Sequence, residues 1–116
     1  MRTLVVDDHP GFRRLAALLL RASGYDVIGE AEDGRSALQA VRELSPELLL
    51  LDVQLPDTDG FALAEALGHG EGAPVIVLVS SRAASDYGDR VDRCSARGFI
   101  AKGDLSAQSL AAVMGG

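Results

Sequence analysis

The chain has 116 residues, 47% of them hydrophobic, which is enough material for one domain with a core. Eleven lysines and arginines face 17 aspartates and glutamates, and the formal charge of -6 opposes direct binding to nucleic acid or to an anionic membrane. One cysteine leaves no internal disulfide framework, and no apolar run approaches the roughly 20 residues of a membrane span. We therefore expect a single cytoplasmic domain over residues 1–116.

Five short apolar runs predict β-strands. They cover residues 4–6, 27–28, 48–51, 75–79 and 99–100. Strand and helix alternating along the chain favour a parallel sheet with helices on both faces, because parallel neighbours need a crossover of about a dozen residues. The four leucines at 48–51 show no polar alternation, which is typical of a central strand covered on both faces.

The first predicted helix follows the first strand. Pro10 suits its first position, and Gly24 suits the left-handed residue that follows its last turn. Phe12, Leu15 and Leu19 recur at helical spacing, so we expect these three side chains to form the buried stripe of the helix.

Capping residues predict three further helices. Asp33, Asp59 and Asp104 each suit the position before a helix, and the helix after Asp104 is predicted to end at Gly115. Residues 80–96 combine glycine with charged residues that make a weak helix, so we expect a long loop and a short fourth helix there.

Chemically active side chains follow four of the predicted strands. Asp7 and Asp8 follow the first strand, Asp52 the third, Ser80 the fourth and Lys102 the fifth. Ligands of open parallel sheets bind beyond the carboxyl ends of the strands. If the first and third strands are neighbours, the three carboxylates converge there, and their mutual repulsion favours a bound cation.

Mg²⁺ suits this set better than Ca²⁺ or Zn²⁺. Mg²⁺ takes about one or two protein carboxylates together with waters and phosphate oxygens, whereas Ca²⁺ takes about six to eight oxygens and Zn²⁺ prefers histidine or cysteine. With Asp7 and Asp8 holding the metal, Asp52 is the candidate nucleophile that would form an acyl phosphate. Lys102 would balance the remaining negative charge, and the Ser80 hydroxyl could donate to the transferred group. The structural alternative is that Asp7 and Asp8 cap the first helix and that Asp52 begins a turn.

Four segments together resemble the receiver domain of bacterial two-component response regulators. They are LVVDDHP at 4–10, LLLLDVQLPDTDG at 48–60, PVIVLVSS at 74–81 and RGFIAKGDLS at 97–106. The resemblance covers essentially the whole chain. It implies an α/β fold of the flavodoxin-like, doubly wound (βα)5 type, with a five-stranded parallel sheet of order 2-1-3-4-5.

The resemblance also implies roles for individual residues. Asp52 would be the phosphate acceptor, and Asp7 and Asp8 would be the acidic pair that organises Mg²⁺. Gln54 would offer its backbone carbonyl to the metal, and Lys102 would contact the phosphoryl group. The family's phosphodonor is a histidine kinase, so we expect a phosphoacceptor that assists its own phosphorylation and dephosphorylation rather than an enzyme.

A conformational switch is implied as well, in which a hydroxyl residue at the end of strand four moves toward the phosphate and an aromatic residue on strand five turns inward. Counting from Pro74 places the hydroxyl position on Val79, whereas counting back from Lys102 places it on Ser80, which we adopt. Phe99 matches the aromatic position, and a phenylalanine there is equally compatible with a core role.

The surface that a partner reads is expected on the fourth helix, fifth strand and fifth helix. Residues 82–88 are predicted to be the segment least anchored by apolar contacts and therefore the one that rearranges. Lys102 is followed by Gly103 instead of proline, which resembles the subgroup attached to helix-turn-helix output domains. The reader of the signal is then a docking protein, an output domain beyond this sequence, or a second copy of the chain.

The segment DTDG at 57–60 raises two alternatives. Asp57 and Thr58 stand where the family usually has glycine and an apolar residue, so the rim of the acceptor is expected to be more acidic. DTDG also resembles the DxDG signature of the haloacid dehalogenase superfamily of Mg²⁺-dependent phosphatases, although Asp57 follows a loop and not the first strand. A receiver-like docking module that is not phosphorylated is the third hypothesis.

Overall fold

The computed structural model of the chain describes residues 1–115 and contains one five-stranded sheet with helices on both faces. The strands are β1 (Arg2–Val6), β2 (Asp26–Ala31), β3 (Leu48–Asp52), β4 (Val75–Ser80) and β5 (Gly98–Ala101). Neighbouring strands are parallel and follow the order β2-β1-β3-β4-β5. The predicted fold class and the strand order 2-1-3-4-5 are therefore confirmed.

Four helices connect the strands, and a fifth follows the last strand. They are α1 (Pro10–Ala22), α2 (Gly34–Leu44), α3 (Gly60–Leu67), α4 (Arg90–Arg93) and α5 (Ala107–Val113). Short 3-10 turns at Ala84–Tyr87 and Lys102–Asp104 precede α4 and α5. Residues 80–96 thus form a long connection with one short helix, as predicted. Within residues 1–115, each helix is too short or too polar to cross a lipid bilayer.

Two apolar layers hold the helices on the sheet. Helices α2 and α3 pack on one face of the sheet, where they cover Leu49 and Leu51 of β3. Helices α1 and α5 pack on the other face, where they cover Leu48 and Leu50. All five residues of β3 are buried, because both layers draw on this strand. The carboxylate at the end of β3 therefore lies on a strand that is buried along its whole length.

The buried stripe of α1 differs from the predicted one. Leu15 is 60% exposed, while Ala16, Ala17 and Leu20 are the buried residues of this helix. The leucine-rich sequence carries apolar residues on several faces, so helical spacing alone fits more than one stripe. The two alanines are small, and small side chains at a contact allow a helix to approach its neighbour closely.

The start of α5 also differs from the prediction. Ser106 caps the helix: its hydroxyl accepts from the Ser109 backbone N–H at 3.0 Å, and the Ser109 hydroxyl accepts from the Ser106 N–H at 2.9 Å. Asp104 instead ends the preceding 3-10 turn, and the helix ends at Val113, two residues before Gly115. The reciprocal pair satisfies two N–H groups at once, which a single aspartate cap does not.

Gly60 allows the chain to turn back against the end of β3. Its N–H donates to the Val53 carbonyl at 2.6 Å, and Asp59 before it caps α3 by accepting from the Ala62 N–H at 2.8 Å. A Cβ atom at residue 60 would lie 2.5 Å from the Asp52 carbonyl oxygen and 2.8 Å from the Val53 Cα. The glycine of DTDG is therefore required by close backbone packing beside Asp52.

We expect Gly60→Ala to lower the free energy of unfolding by about 1 to 3 kcal/mol, because backbone atoms must move to accept the new methyl group. Gly11→Ala is the matched control, since a Cβ there meets nothing within 4 Å and lies in a helix. That substitution should leave stability unchanged or raise it by up to about 1 kcal/mol. Urea unfolding of both variants checks the prediction, which fails if the two behave alike.

Candidate functional site

Four polar side chains lie close together beyond the carboxyl ends of the strands. Three of them are predicted site residues, and the fourth is His9. The pairing of β1 with β3 sets Val6 opposite Leu51, so Asp7 and Asp52, the next residue of each chain segment, lie side by side. Ligand atoms of Asp7, Asp8, His9 and Asp52 all lie within 4.8 Å of one another. The predicted convergence of three carboxylates is therefore present.

Lys102 supplies the positive charge of the cluster. Its ammonium lies 2.7 Å from Asp7 Oδ2 and 3.5 Å from Asp52 Oδ2. It also lies 4.5 Å from the centre of the Phe12 ring, whose face attracts a cation and excludes water from one side of the lysine. Three carboxylates and one ammonium leave the cluster with a formal charge of two negatives, which a divalent cation would neutralise.

The buried oxygen Oδ2 of Asp7 gives an independent indication that a cation fits here. Asp7 is fully buried, and this oxygen has no hydrogen-bond partner among residues 1–115. The Lys102 ammonium forms an ion pair with this oxygen at 2.7 Å and lies 3.5 Å from Asp52 Oδ2. One ammonium shared between buried carboxylates compensates their charge only in part, which is costly. The donor set of carboxylate oxygens is one that Mg²⁺ prefers, so the residues present fit that ion.

Asp52 has a perturbed acidity. The pKa of Asp52 is raised from its ordinary 3.8 to about 6, chiefly by burial and next by the negative charge of Asp7, while the Lys102 ammonium lowers it in part. Asp52 is 3% exposed, so the loss of hydration is the dominant physical cause. Ionised at neutral pH, this carboxylate is more basic than an ordinary aspartate.

Helix capping does not account for Asp7 and Asp8. Helix α1 has His9 at its N-cap position, and no side-chain hydrogen bond caps it. Asp7 Oδ1 accepts locally from the His9 N–H at 2.8 Å, while its other oxygen faces Lys102. Asp52 Oδ1 accepts only a long bond, 3.3 Å, from the Gln54 N–H. The predicted metal ligand of Gln54, its backbone carbonyl, remains a prediction.

His9 is a member of the cluster that the sequence reasoning missed. Its Nδ1 lies 3.2 Å from Asp7 Oδ1 and 3.1 Å from Asp8 Oδ1, and its side chain is 69% exposed. Its position directly after two aspartates was the available signal. When protonated, His9 would add a positive charge at the mouth of the site.

Ser80 rather than Val79 presents a hydroxyl at the end of β4. Val79 pairs with Asp52 across the sheet, and its side chain is buried in the apolar layer beneath α1 and α5. Ser80 is the last residue of β4 and is also fully buried. Its hydroxyl makes a 2.6 Å hydrogen bond with the Tyr87 hydroxyl and accepts from the Arg82 N–H at 3.0 Å. Phe99, on β5, is half-buried beside Tyr87.

Asp57, expected to make the rim of the acceptor more acidic, binds the start of α2 instead. Its two carboxylate oxygens accept from the backbone N–H groups of Gly34 at 2.7 Å and Arg35 at 3.0 Å, which are the first residues of α2. A Cβ at residue 34 would collide with Thr58 at 2.5 Å, so Gly34 permits this close approach. The charge of Asp57 is therefore used at the N-terminus of α2, where the helix dipole favours it, and the rim is less acidic than predicted.

Both aspartates of DTDG are thus engaged in helix capping, Asp57 on α2 and Asp59 on α3. A phosphatase of the haloacid dehalogenase type would need the first of them free as a nucleophile. The geometry gives no support to that alternative.

The comparisons with known proteins agree with this geometry. The sequence matches the family model described as response regulator receiver domain over residues 3–113. The NarL signal receiver domain of Mycobacterium tuberculosis has a TM-score of 0.83 and 31% identity, covering 99% of this chain and 97% of that one. The chain therefore belongs to the response regulator receiver domain family, whose members accept phosphoryl groups from histidine kinases and bind Mg²⁺ at an acidic pocket.

Two relatives show how varied the remainder of such proteins can be. The DNA-binding transcriptional activator EvgA of Escherichia coli is 28% identical over 113 residues, which are 97% of this chain and 55% of EvgA. A protein-glutamate methylesterase/protein-glutamine glutaminase of Myxococcus xanthus is 45% identical over 82 residues, 70% of this chain and 24% of that protein. The chain thus spans about a quarter to a half of the length of these curated relatives.

The raised pKa of Asp52 predicts that, in the absence of divalent cations, the free energy of unfolding falls as the pH rises. Well below pH 3.8 the carboxyl is protonated in both the folded and the unfolded chain. As pH rises from 3.8 to about 6, the unfolded chain ionises first, so the free energy of unfolding falls by up to about 3 kcal/mol, and the loss is complete once the pH is well above 6. Asp52→Asn removes this cost and should be the more stable protein above pH 6.

Unfolding with urea in EDTA between pH 4.5 and 7.5 measures the difference between wild type and Asp52→Asn, which should grow with pH. Adding Mg²⁺ at pH 7.5 should stabilise the wild-type chain more than the variant. A difference that is constant across this pH range would contradict the assigned acidity.

Asp57→Ala should lower the free energy of unfolding by about 1 to 2 kcal/mol, because the N–H groups of Gly34 and Arg35 lose their acceptors while the Asp33 cap remains. Asp86→Ala is the control, an exposed aspartate in the 3-10 turn before α4. Equal stability of the two variants in urea would contradict the capping role of Asp57.

Proposed function

We propose that Asp52 of this chain is the phosphorylated residue of a two-component signalling pathway and that a histidine kinase is its phosphodonor. The observation that carries the proposal is the buried cluster in which Asp7, Asp8 and Lys102 surround Asp52 at the end of β3. In the reaction, a lone pair of an Asp52 carboxylate oxygen forms a bond to phosphorus while the bond from phosphorus to the donor nitrogen breaks. The donor keeps that electron pair, and the product is an acyl phosphate.

Asp52 is suited to the nucleophilic role by its position and its acidity. It ends a strand whose residues are all buried, so the backbone that carries its carboxylate is positioned by packing on both faces of the sheet. Its raised pKa of about 6 leaves it ionised at neutral pH and more basic than a solvated aspartate. Asp7 is paired with Lys102, and Asp8 is partly exposed beside it, so we assign these two to the cation and Asp52 to phosphorus.

Asp7, Asp8, Asp52 and the backbone carbonyl of Gln54 would hold Mg²⁺. When bound, this ion would neutralise the negative charge that otherwise keeps a phosphate away from three carboxylates. Lys102 would contact a phosphoryl oxygen, for which its position 3.5 Å from Asp52 Oδ2 is the support. Ser80 would donate its hydroxyl to another phosphoryl oxygen from the end of the adjacent strand β4.

The output surface is proposed on α4, β5 and α5. Helix α4 has only four residues, so the preceding 3-10 turn Ala84–Tyr87 forms much of this face. A shallow groove there is lined by Ala83, Phe99, Ala112 and Val113 among others. A docking protein, a second copy of the chain or an output domain would read this surface, in the cytoplasm where histidine kinases present their phosphoryl groups. The acidic net charge makes nucleic acid an unsuitable direct partner for these residues.

A receiver-like docking module without phosphorylation is the second candidate. The observation that favours it is the Ser80 hydroxyl, which is buried and already hydrogen-bonded to Tyr87.

Incubation with acetyl phosphate and Mg²⁺, followed by intact mass measurement, separates the candidates. We expect the wild-type chain to gain one phosphoryl group, Asp52→Asn to gain none, and EDTA to prevent the gain. Asp57→Asn is the matched control, because it changes an aspartate in the same segment that caps α2 and should still be phosphorylated.

Each contrary result has a distinct meaning. A chain that gains no mass would be a docking module. Continuous release of phosphate from unrelated phosphate esters would indicate a phosphatase. A phosphoryl group that remains in Asp52→Asn would place the acceptor elsewhere.

A further inference from the structure

The hydroxyl of Ser80 is occupied on two sides. It accepts a hydrogen bond from the Arg82 N–H at 3.0 Å and shares a short hydrogen bond, 2.6 Å, with the hydroxyl of Tyr87. Ser80 is fully buried, so water does not compete for these contacts. A serine hydroxyl has one proton to donate. If it donates that proton to Tyr87, none remains for an oxygen of a phosphorylated Asp52.

Tyr87 is held in place by two aromatic neighbours. Its ring meets Phe61 of α3 edge-on, with centroids 5.3 Å apart, and lies 5.8 Å from the ring of Phe99 on β5. The segment 82–88, predicted to be poorly anchored, is therefore pinned at Tyr87 to both a helix and a strand. The position of the Tyr87 hydroxyl is thus set by packing that does not depend on Ser80.

We propose that Tyr87 is a positioning residue that restrains Ser80 until Asp52 is phosphorylated and then transmits the change to the 3-10 turn Ala84–Tyr87. The proposal rests on the proposed function of Asp52. For Ser80 to donate to a phosphoryl oxygen, the bond to Tyr87 must either break or reverse, so that Tyr87 becomes the donor. Either outcome changes the hydrogen bonding of the Tyr87 phenol.

This assignment differs from the aromatic residue on strand five that the sequence suggested. Phe99 has no hydroxyl and cannot bond to Ser80, whereas Tyr87 bonds to it directly from the connection after β4. The coupling therefore reaches the proposed output surface through the segment that precedes α4. Phe99 contributes as packing against the Tyr87 ring.

Tyr87→Phe tests the restraint, because it keeps the ring between Phe61 and Phe99 and removes only the hydroxyl. We expect phosphorylation by acetyl phosphate to be about 2- to 10-fold faster, the factor that one net hydrogen bond represents. In a Ser80→Ala background the same substitution should have no effect on the rate. A merely structural role of Tyr87 would change both backgrounds alike.

The control variant is Tyr25→Phe. Tyr25 packs in the layer beneath α1 and α5 and lies at the opposite end of the sheet from Asp52, so its loss should leave the rate unchanged. The chain has no tryptophan and two tyrosines, so Tyr25→Phe also makes Tyr87 the only absorbing phenol. Its near-ultraviolet absorption should then shift when beryllofluoride and Mg²⁺ are added, and should not shift when Asp52→Asn is also present.

Equal rates for wild type and Tyr87→Phe would overturn the proposal, as would an unchanged Tyr87 spectrum in a protein that binds beryllofluoride or carries phosphate. If the wild-type chain forms no adduct at Asp52, both the proposed function and the coupling between Ser80 and Tyr87 are wrong. An adduct with no response at Tyr87 removes the coupling alone.

Discussion

The parallel pairing of β1 with β3 is the constraint from which the site follows. It sets Val6 opposite Leu51, and the next residues, Asp7 and Asp52, must then leave the sheet side by side. Neither carboxylate can turn to solvent, because Asp7 is fully buried and Asp52 is 3% exposed. The apolar layers on both faces of β3 provide the free energy that keeps the two charges together, and the raised pKa of Asp52 is the visible cost of that arrangement.

Lys102 offsets part of the free-energy cost of burying the two carboxylates. Its ammonium lies 2.7 Å from Asp7 Oδ2 and 3.5 Å from Asp52 Oδ2, so it compensates the charge of Asp7 at the shorter distance, and the pKa of Asp52 stays raised. The two carboxylates therefore have different surroundings, and the proposed function assigns Asp7 to the metal and Asp52 to phosphorus. The net charge of two negatives leaves the cluster suited to a divalent cation, and the sheet tolerates this charge because its strands are stabilised by the apolar layers on both faces.

The sequence was sufficient for those features that depend on local or strongly patterned signals. An unbroken run of leucines predicts the buried central strand, and the aspartates before α2 and α3 predict their helix starts, since a cap acts within one turn. The buried face of α1 was wrong at Leu15 because leucines occupy several faces of that helix. The cap of α5 was wrong because Asp104 and Ser106 compete within three residues. Tyr87 and the capping of α2 by Asp57 depend on tertiary contacts, for which neighbouring residues carry no signal.

The hydrogen bond between Ser80 and Tyr87 is weaker than a bond from Ser80 to a charged phosphoryl oxygen would be, yet it is strong enough to restrain Ser80 when no phosphate is present. A hydrogen bond between two neutral hydroxyls contributes about 0.5 to 1.5 kcal/mol, whereas a bond to a charged acceptor contributes about 1.5 to 3 kcal/mol. In the proposed mechanism, phosphorylation would change the charge at Asp52 from one negative toward two and would add acceptor oxygens beside Ser80. The exchange of partners would then be favourable by on the order of 1 kcal/mol, a shift of about fivefold in a two-state equilibrium. Because the Tyr87 ring is packed between Phe61 and Phe99, that shift would act on α3, β5 and the connection to α4 together.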